Sequence, residues 1–173
     1  MTKFVLAHLF VEKRTIKKCI EFLSQIKTTC YNQILAKYYL RKYSRGKDKK
    51  RLIIFVCDKF ANYKTAFNKL FYRVAELQFG VPIACKKYNL EHNNNAVERY
   101  NGKTKDRIKN IRGGFGSFEF AKDFMNLRRI IHNFVNPHQE LKGKTPAEIA
   151  EIFLPLGRNK LLDLIEYVAR GYH

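Results

Sequence analysis

The sequence predicts an α/β fold with a helical C-terminal tail. Two observations carry this. Apolar runs of strand length alternate with segments of helical periodicity in the first half of the chain, whereas the remainder holds helical patterns only. The composition suits a folded body: 46% of the 173 residues are apolar, including 14 Phe and 10 Tyr. That length fits one domain, and neither a linker nor an internal repeat divides it.

Taken in order, residues 4–11 (FVLAHLFV) form an unbroken apolar run with charge at both ends, the pattern of a well-buried strand. Thr15 suits a helix N-cap. Behind it Ile16, Cys19, Ile20, Leu23, Ile34, Leu35 and Tyr38 recur at three- and four-residue spacing, with a break expected near Thr28 and Thr29. Residues 52–57 (LIIFVC) are the clearest strand and end at Asp58. Ala66, Phe67, Leu70, Phe71 and Val74 then mark a helical face, and residues 81–85 suit a short edge strand, because Pro82 removes a ladder donor. A polar run from Glu91 to Asn95 opens a helix that should continue to about Arg112, where Gly113 and Gly114 stop it. Phe118, Ala121, Phe124, Met125, Arg128 and Ile131 outline another helix. Thr145, Pro146 and Glu148 spell a capping box with proline at the first helical position, and residues 161–169 close the chain as an amphipathic helix. The two main strands, joined by a long helical crossover, are expected to run parallel.

Charge is the strongest bulk signal. The net charge of +19 implies a polyanionic partner, of which nucleic acid is the commonest. The excess lies in the body: residues 1–138 hold 29 Lys and Arg against 10 acids, and residues 139–173 hold five of each. Residues 37–51 are densely basic, with Lys42, Arg45 and Lys47 among Tyr38, Tyr39 and Tyr43. This stretch is either a solvated helix end or a phosphate-contacting patch whose tyrosines stack or donate hydrogen bonds. The four cysteines stand singly, as reduced thiols do in a cytoplasmic protein. No run reaches membrane-span length, and the N-terminus lacks a signal-peptide pattern.

Asp58, at the end of a strand, is where active-site groups gather in α/β sheets, although turns and caps use Asp constantly. Glu98, at the start of a helix, has the ordinary reading of a surface glutamate. Their surroundings add more. Asp58-Lys59-Phe60-Ala61-Asn62-Tyr63 is followed by His92-Asn93-Asn94-Asn95-Ala96-Val97-Glu98-Arg99, by Lys103-Thr104-Lys105-Asp106-Arg107 and by Gly114-Phe115-Gly116-Ser117. His132-Asn133-Phe134-Val135-Asn136-Pro137-His138 comes next, and Leu141-Lys142-Gly143-Lys144-Thr145-Pro146-Ala147-Glu148 is last. This succession, which covers essentially the whole chain, resembles the DDE-type transposases of prokaryotic insertion sequences, mobile elements that move by DNA recombination and integration.

The resemblance implies an RNase H-like, integrase-type core and phosphodiester cleavage with strand transfer by two Mg²⁺ (or Mn²⁺) ions. Such ions activate an oxygen nucleophile and neutralise a leaving oxygen. By position, Asp58 matches the second acid and Glu98 the third, both metal ligands. Arg99, Lys103, Lys105, Arg107 and Lys109 fall on the helix of Glu98 and are expected to contact DNA. The first Asp of the family lies ahead of the segment matched by residues 4–11, so residues 1–173 are expected to form a partial catalytic domain lacking its first strands. Glu12 is either a substitute ligand or a solvent-facing strand end. The expected function is that of a transposase fragment, catalytically incomplete alone. The alternatives are a non-catalytic DNA-binding protein and one half of a split transposase completed by another chain. A homo-oligomer is a further expected partner.

Overall fold

The computed structural model describes residues 2–44, 52–58, 60–79, 95–109, 111 and 114–171. The chain forms two compact units, Val11–Asn110 and a second made of Met1–Phe10 with Ile111–His173.

The first unit is built on α1 (Ile16–Tyr43), started by Thr15, whose hydroxyl accepts from the Lys18 amide. No break occurs at Thr28 and Thr29. Their hydroxyls donate to the Ser24 and Gln25 carbonyls at 3.0 and 2.9 Å, so the polar side chains are satisfied inside a continuous helix. Strand β1 (Ile54–Cys57), helix α2 (Ala61–Phe71) and strand β2 (Glu76–Phe79) follow. β1 and β2 pair in parallel with Ile54 opposite Glu76 and Cys57 opposite Phe79, the crossover being α2. α2 packs on α1, and Cys19, Leu23 and Ile34 of α1 meet Ala66, Phe67 and Phe71 of α2 in one core. Phe55 of β1 closes an aromatic cluster there, with ring centroids 5.3 Å from Phe67 and 4.9 Å from Phe71. Such pairs contribute about 0.5–1.5 kcal/mol beyond the area they bury. Helix α3 (Asn95–Lys109) belongs to the same unit.

The second unit contains α4 (Phe118–Ile130), capped by the Ser117 hydroxyl, which accepts from the Phe120 amide. α4 widens into a π-helical turn at Ile131–Val135. After a short 3₁₀ turn (Gln139–Leu141) come α5 (Pro146–Ile149) and α6 (Lys160–Ala169). The expected capping box is present in both directions: the Thr145 amide donates to Glu148 at 2.6 Å, and the Glu148 amide donates to the Thr145 hydroxyl. Lys160 of α6 adds a 2.7 Å ion pair to Glu148. Just before this box, Lys142 and Gly143 take φ of +54° and +78°, a reversal in which a side chain at the second position is strained. The run from Gly143 to Glu148 is thus a helix-entry device.

α6 is inside out. Lys160, Asp163 and Tyr167 are half-buried beside buried Leu164, while Leu161, Leu162, Ile165 and Val168 face solvent, the last at 70% exposure.

The RNase H-like core is not what the chain builds. The protein is mostly helical, and among the described residues its one sheet has two strands. The reason is visible at residues 4–11, expected to be a strand parallel to residues 52–57. They belong to no sheet. The buried side-chain amide of Asn133, in the π-helical turn, replaces a strand partner: it accepts from the Val5 N–H at 2.9 Å and donates to the Val5 carbonyl at 3.0 Å. β1 pairs with β2, a segment whose four residues ELQF carry little strand signal. The edge strand expected at residues 81–85 lies outside the described residues.

Candidate nucleic-acid interface and acidic pair

Asp58 directly follows β1, at the strand end where the sequence placed it, and is exposed. Its Oδ2 accepts a 3.0 Å hydrogen bond from Arg14 Nη1, an ion pair with about half of each side chain in solvent. Arg14 is held in place twice more. Its guanidinium lies 4.7 Å from the centroid of the Phe60 ring, and its carbonyl accepts from Asn62 Nδ2 at 3.0 Å. The hydrogen bond to Asp58 raises the Arg14 pKa further above its ordinary value, so this neighbour of the carboxylate stays charged. Burial, followed by the Asp58 charge, pushes the Cys57 thiol up to about 11 and keeps it protonated. Sequence gave no sign of Arg14 as the partner, because 44 residues separate it from Asp58.

Glu98 stands in the first turn of α3 and is exposed. At 3.6 residues per turn, Tyr100, Thr104 and Ile108 align in the covered stripe of this helix, with Thr104 buried. Arg99, Lys103 and Arg107 form an exposed row at four-residue spacing, and Glu98, Lys105 and Lys109 share another face, also exposed. Lys109 also reaches Asp106 at 3.5 Å. All five basic residues expected on this helix are therefore outside its buried stripe. Successive cations in the Arg99 row are about 6 Å apart along the helix axis.

Lys42, in the last turn of α1, is exposed, with its ammonium 5.9 Å from the Tyr43 ring centroid. Arg45 and Lys47 lie outside the described residues, as do Cys85 and the run from Glu91 to Asn94. Glu12 is exposed in a bend and is not at the end of a strand.

No three His, Cys, Asp or Glu side chains among the described residues converge as a metal site, and Asp58 has one oxygen committed to Arg14. Among the described residues, no helix is long and apolar enough to cross a membrane. No family model, curated protein or solved structure matches the chain.

Proposed function

We propose that this chain is a DDE-transposase-derived protein whose Val11–Asn110 unit holds DNA, and that it is catalytically incomplete by itself. One observation carries the reading: the unit containing Asp58 and Glu98 also holds 24 Lys and Arg against 8 acids, most of the net charge of +19. Phosphate contacts by such a surface give affinity without sequence preference and release counterions on binding. The ordered motif succession from Asp58 to Glu148 supports the transposase origin. Asp58 and Glu98 would act as metal ligands for Mg²⁺ or Mn²⁺ only with a further carboxylate beside them, from a complementing chain or another copy.

A second reading, a DNA-binding protein without chemistry, is favoured by the Arg14–Asp58 ion pair, because a guanidinium competes with a metal ion for one oxygen of that carboxylate.

One titration and one nicking assay test these readings. Duplex DNA should bind with affinity that falls steeply between about 50 and 200 mM salt. Substituting Arg99, Lys103 and Arg107 with Ala should lower the slope of log affinity against log salt by about 3. Absence of DNA affinity at low salt would sink both readings. Nicking of supercoiled DNA by the chain alone with Mn²⁺, abolished by Asp58→Asn, would overturn catalytic incompleteness. Nicking that appears only with Arg14→Ala would separate a masked acid from a lost function.

A further inference from the structure

At the end of α1 the sequence leaves open whether the tyrosines beside Lys42 stack or donate hydrogen bonds, and the geometry there is more specific. Tyr39 and Tyr43, one turn apart, are 47% and 73% exposed. Their rings lie nearly parallel, 15° apart with centroids at 6.3 Å, and Tyr38 braces Tyr39 edge-on at 5.3 Å. Leu40 beside them is 52% exposed, so an apolar surface continues around the helix. This last turn is firmly built. Arg41 ties it to Glu76 of β2 at 2.9 Å, and both the amide and the hydroxyl of Ser44 donate to the Leu40 carbonyl. Two large rings thus stand nearly parallel and in solvent on an anchored turn, beside an ammonium and on the strongly basic unit.

Phosphate binding does not need exposed aromatic faces, but unpaired bases do, because every base has a π-face and stacks regardless of sequence. In a duplex those faces are already stacked on each other. We infer that Tyr39 and Tyr43 form a stacking platform for unpaired bases of single-stranded DNA, with Lys42 holding an adjacent phosphate. This deepens the DNA-binding reading and rests on it: the chain should hold a locally opened strand as well as a duplex.

The test compares labelled oligothymidylate with a duplex of equal length, using the full chain and fluorescence anisotropy. Tyr39→Leu combined with Tyr43→Leu should weaken oligothymidylate binding by at least about tenfold. It should leave duplex affinity within about twofold and the salt slope unchanged, since no charge is removed. Tyr39→Phe with Tyr43→Phe keeps both rings and should bind as the parent does. Lys42→Ala should lower the single-strand salt slope by about 0.7. Helicity by circular dichroism should be unchanged in the Leu variant, because both rings are exposed and leucine is a good helix former. Because the chain has no Trp and 10 Tyr, oligothymidylate should also quench its tyrosine emission, less so in the Leu variant. Equal losses on both DNAs, or none on the single strand, would overturn the platform. A parent that binds duplex but not oligothymidylate would overturn it and leave the DNA-binding proposal standing; a parent that binds neither would remove both.

Discussion

The two compact units of this chain are stabilised in different ways and present different surfaces. The Val11–Asn110 unit buries aromatic rings: Phe67 and Phe71 are nearly inaccessible and touch Phe55 across the strand–helix interface. The other unit buries no phenylalanine among its described residues and combines Met125, Leu141 and Leu164 with the small or polar Ala121, Ala147, Asn133 and Thr145. Outside, the difference is one of charge. The first unit has a large cationic excess, whereas the second holds 10 Lys and Arg against 7 acids; both expose apolar side chains, Leu40 and Tyr43 in the first and Phe153, Ile165 and Val168 in the second. The unit that carries most of the positive charge, and so most of the self-repulsion, is also the one with the buried aromatic cluster.

That contrast can be tested by attacking each unit where it is held. Phe71→Ala, at a fully buried ring, should cost about 3–5 kcal/mol, read as a lowered denaturant midpoint of the Val11–Asn110 unit. An effect below about 1 kcal/mol would mean that the aromatic cluster is not its core. Asn133→Ala in the other unit removes no large apolar surface but strips both partners from Val5. It should cost about 1–3 kcal/mol and raise hydrogen exchange at the Val5 amide.

Acid gives a third test. Lys160 first, and then the Thr145 amide, hold the Glu148 carboxyl down to about 2. A depressed carboxylate contributes stability that is complete above its unfolded pKa, near 4.5, and is lost as pH falls through the folded value. The unit with Ile111–His173 should therefore lose about 1–2 kcal/mol between pH 4.5 and 2, a figure discounted because the carboxylate is partly exposed. Glu148→Gln should abolish that pH dependence; if the variant keeps it, another acid is responsible. The smallest effect belongs to Arg14→Ala. Both partners of its ion pair are half in solvent, so thermal unfolding should report a loss of no more than about 1 kcal/mol.

Local chemistry was legible in the sequence, and pairing was not. Thr15, Thr145 and Glu148 announced their helix starts because a cap is decided within four residues. The buried face of α2 followed from spacing alone, as Ala66, Phe67 and Phe71 show. The apolar run at residues 4–11 misled twice: its residues are only half-buried, with Leu6 exposed, and an apolar run does not name its hydrogen-bonding partner, here one asparagine 128 residues away. β2 escaped because Glu76 and Gln78 dilute its apolar content and pairing with β1 alone defines it. At the candidate site, the placement of Glu98, Arg99, Lys103, Lys105, Arg107 and Lys109 on one helix was legible, whereas the Arg14–Asp58 pair depends on tertiary placement.

The outward apolar face of α6 sets a practical conflict for anyone handling the protein. If the basic unit holds nucleic acid as proposed, removing it during purification calls for raised salt. Sulfate and phosphate salts also strengthen apolar association, and Leu161, Leu162, Ile165 and Val168 stand ready for it. Chloride at moderate concentration should clear the nucleic acid and keep the protein in solution, while ammonium sulfate should precipitate it early.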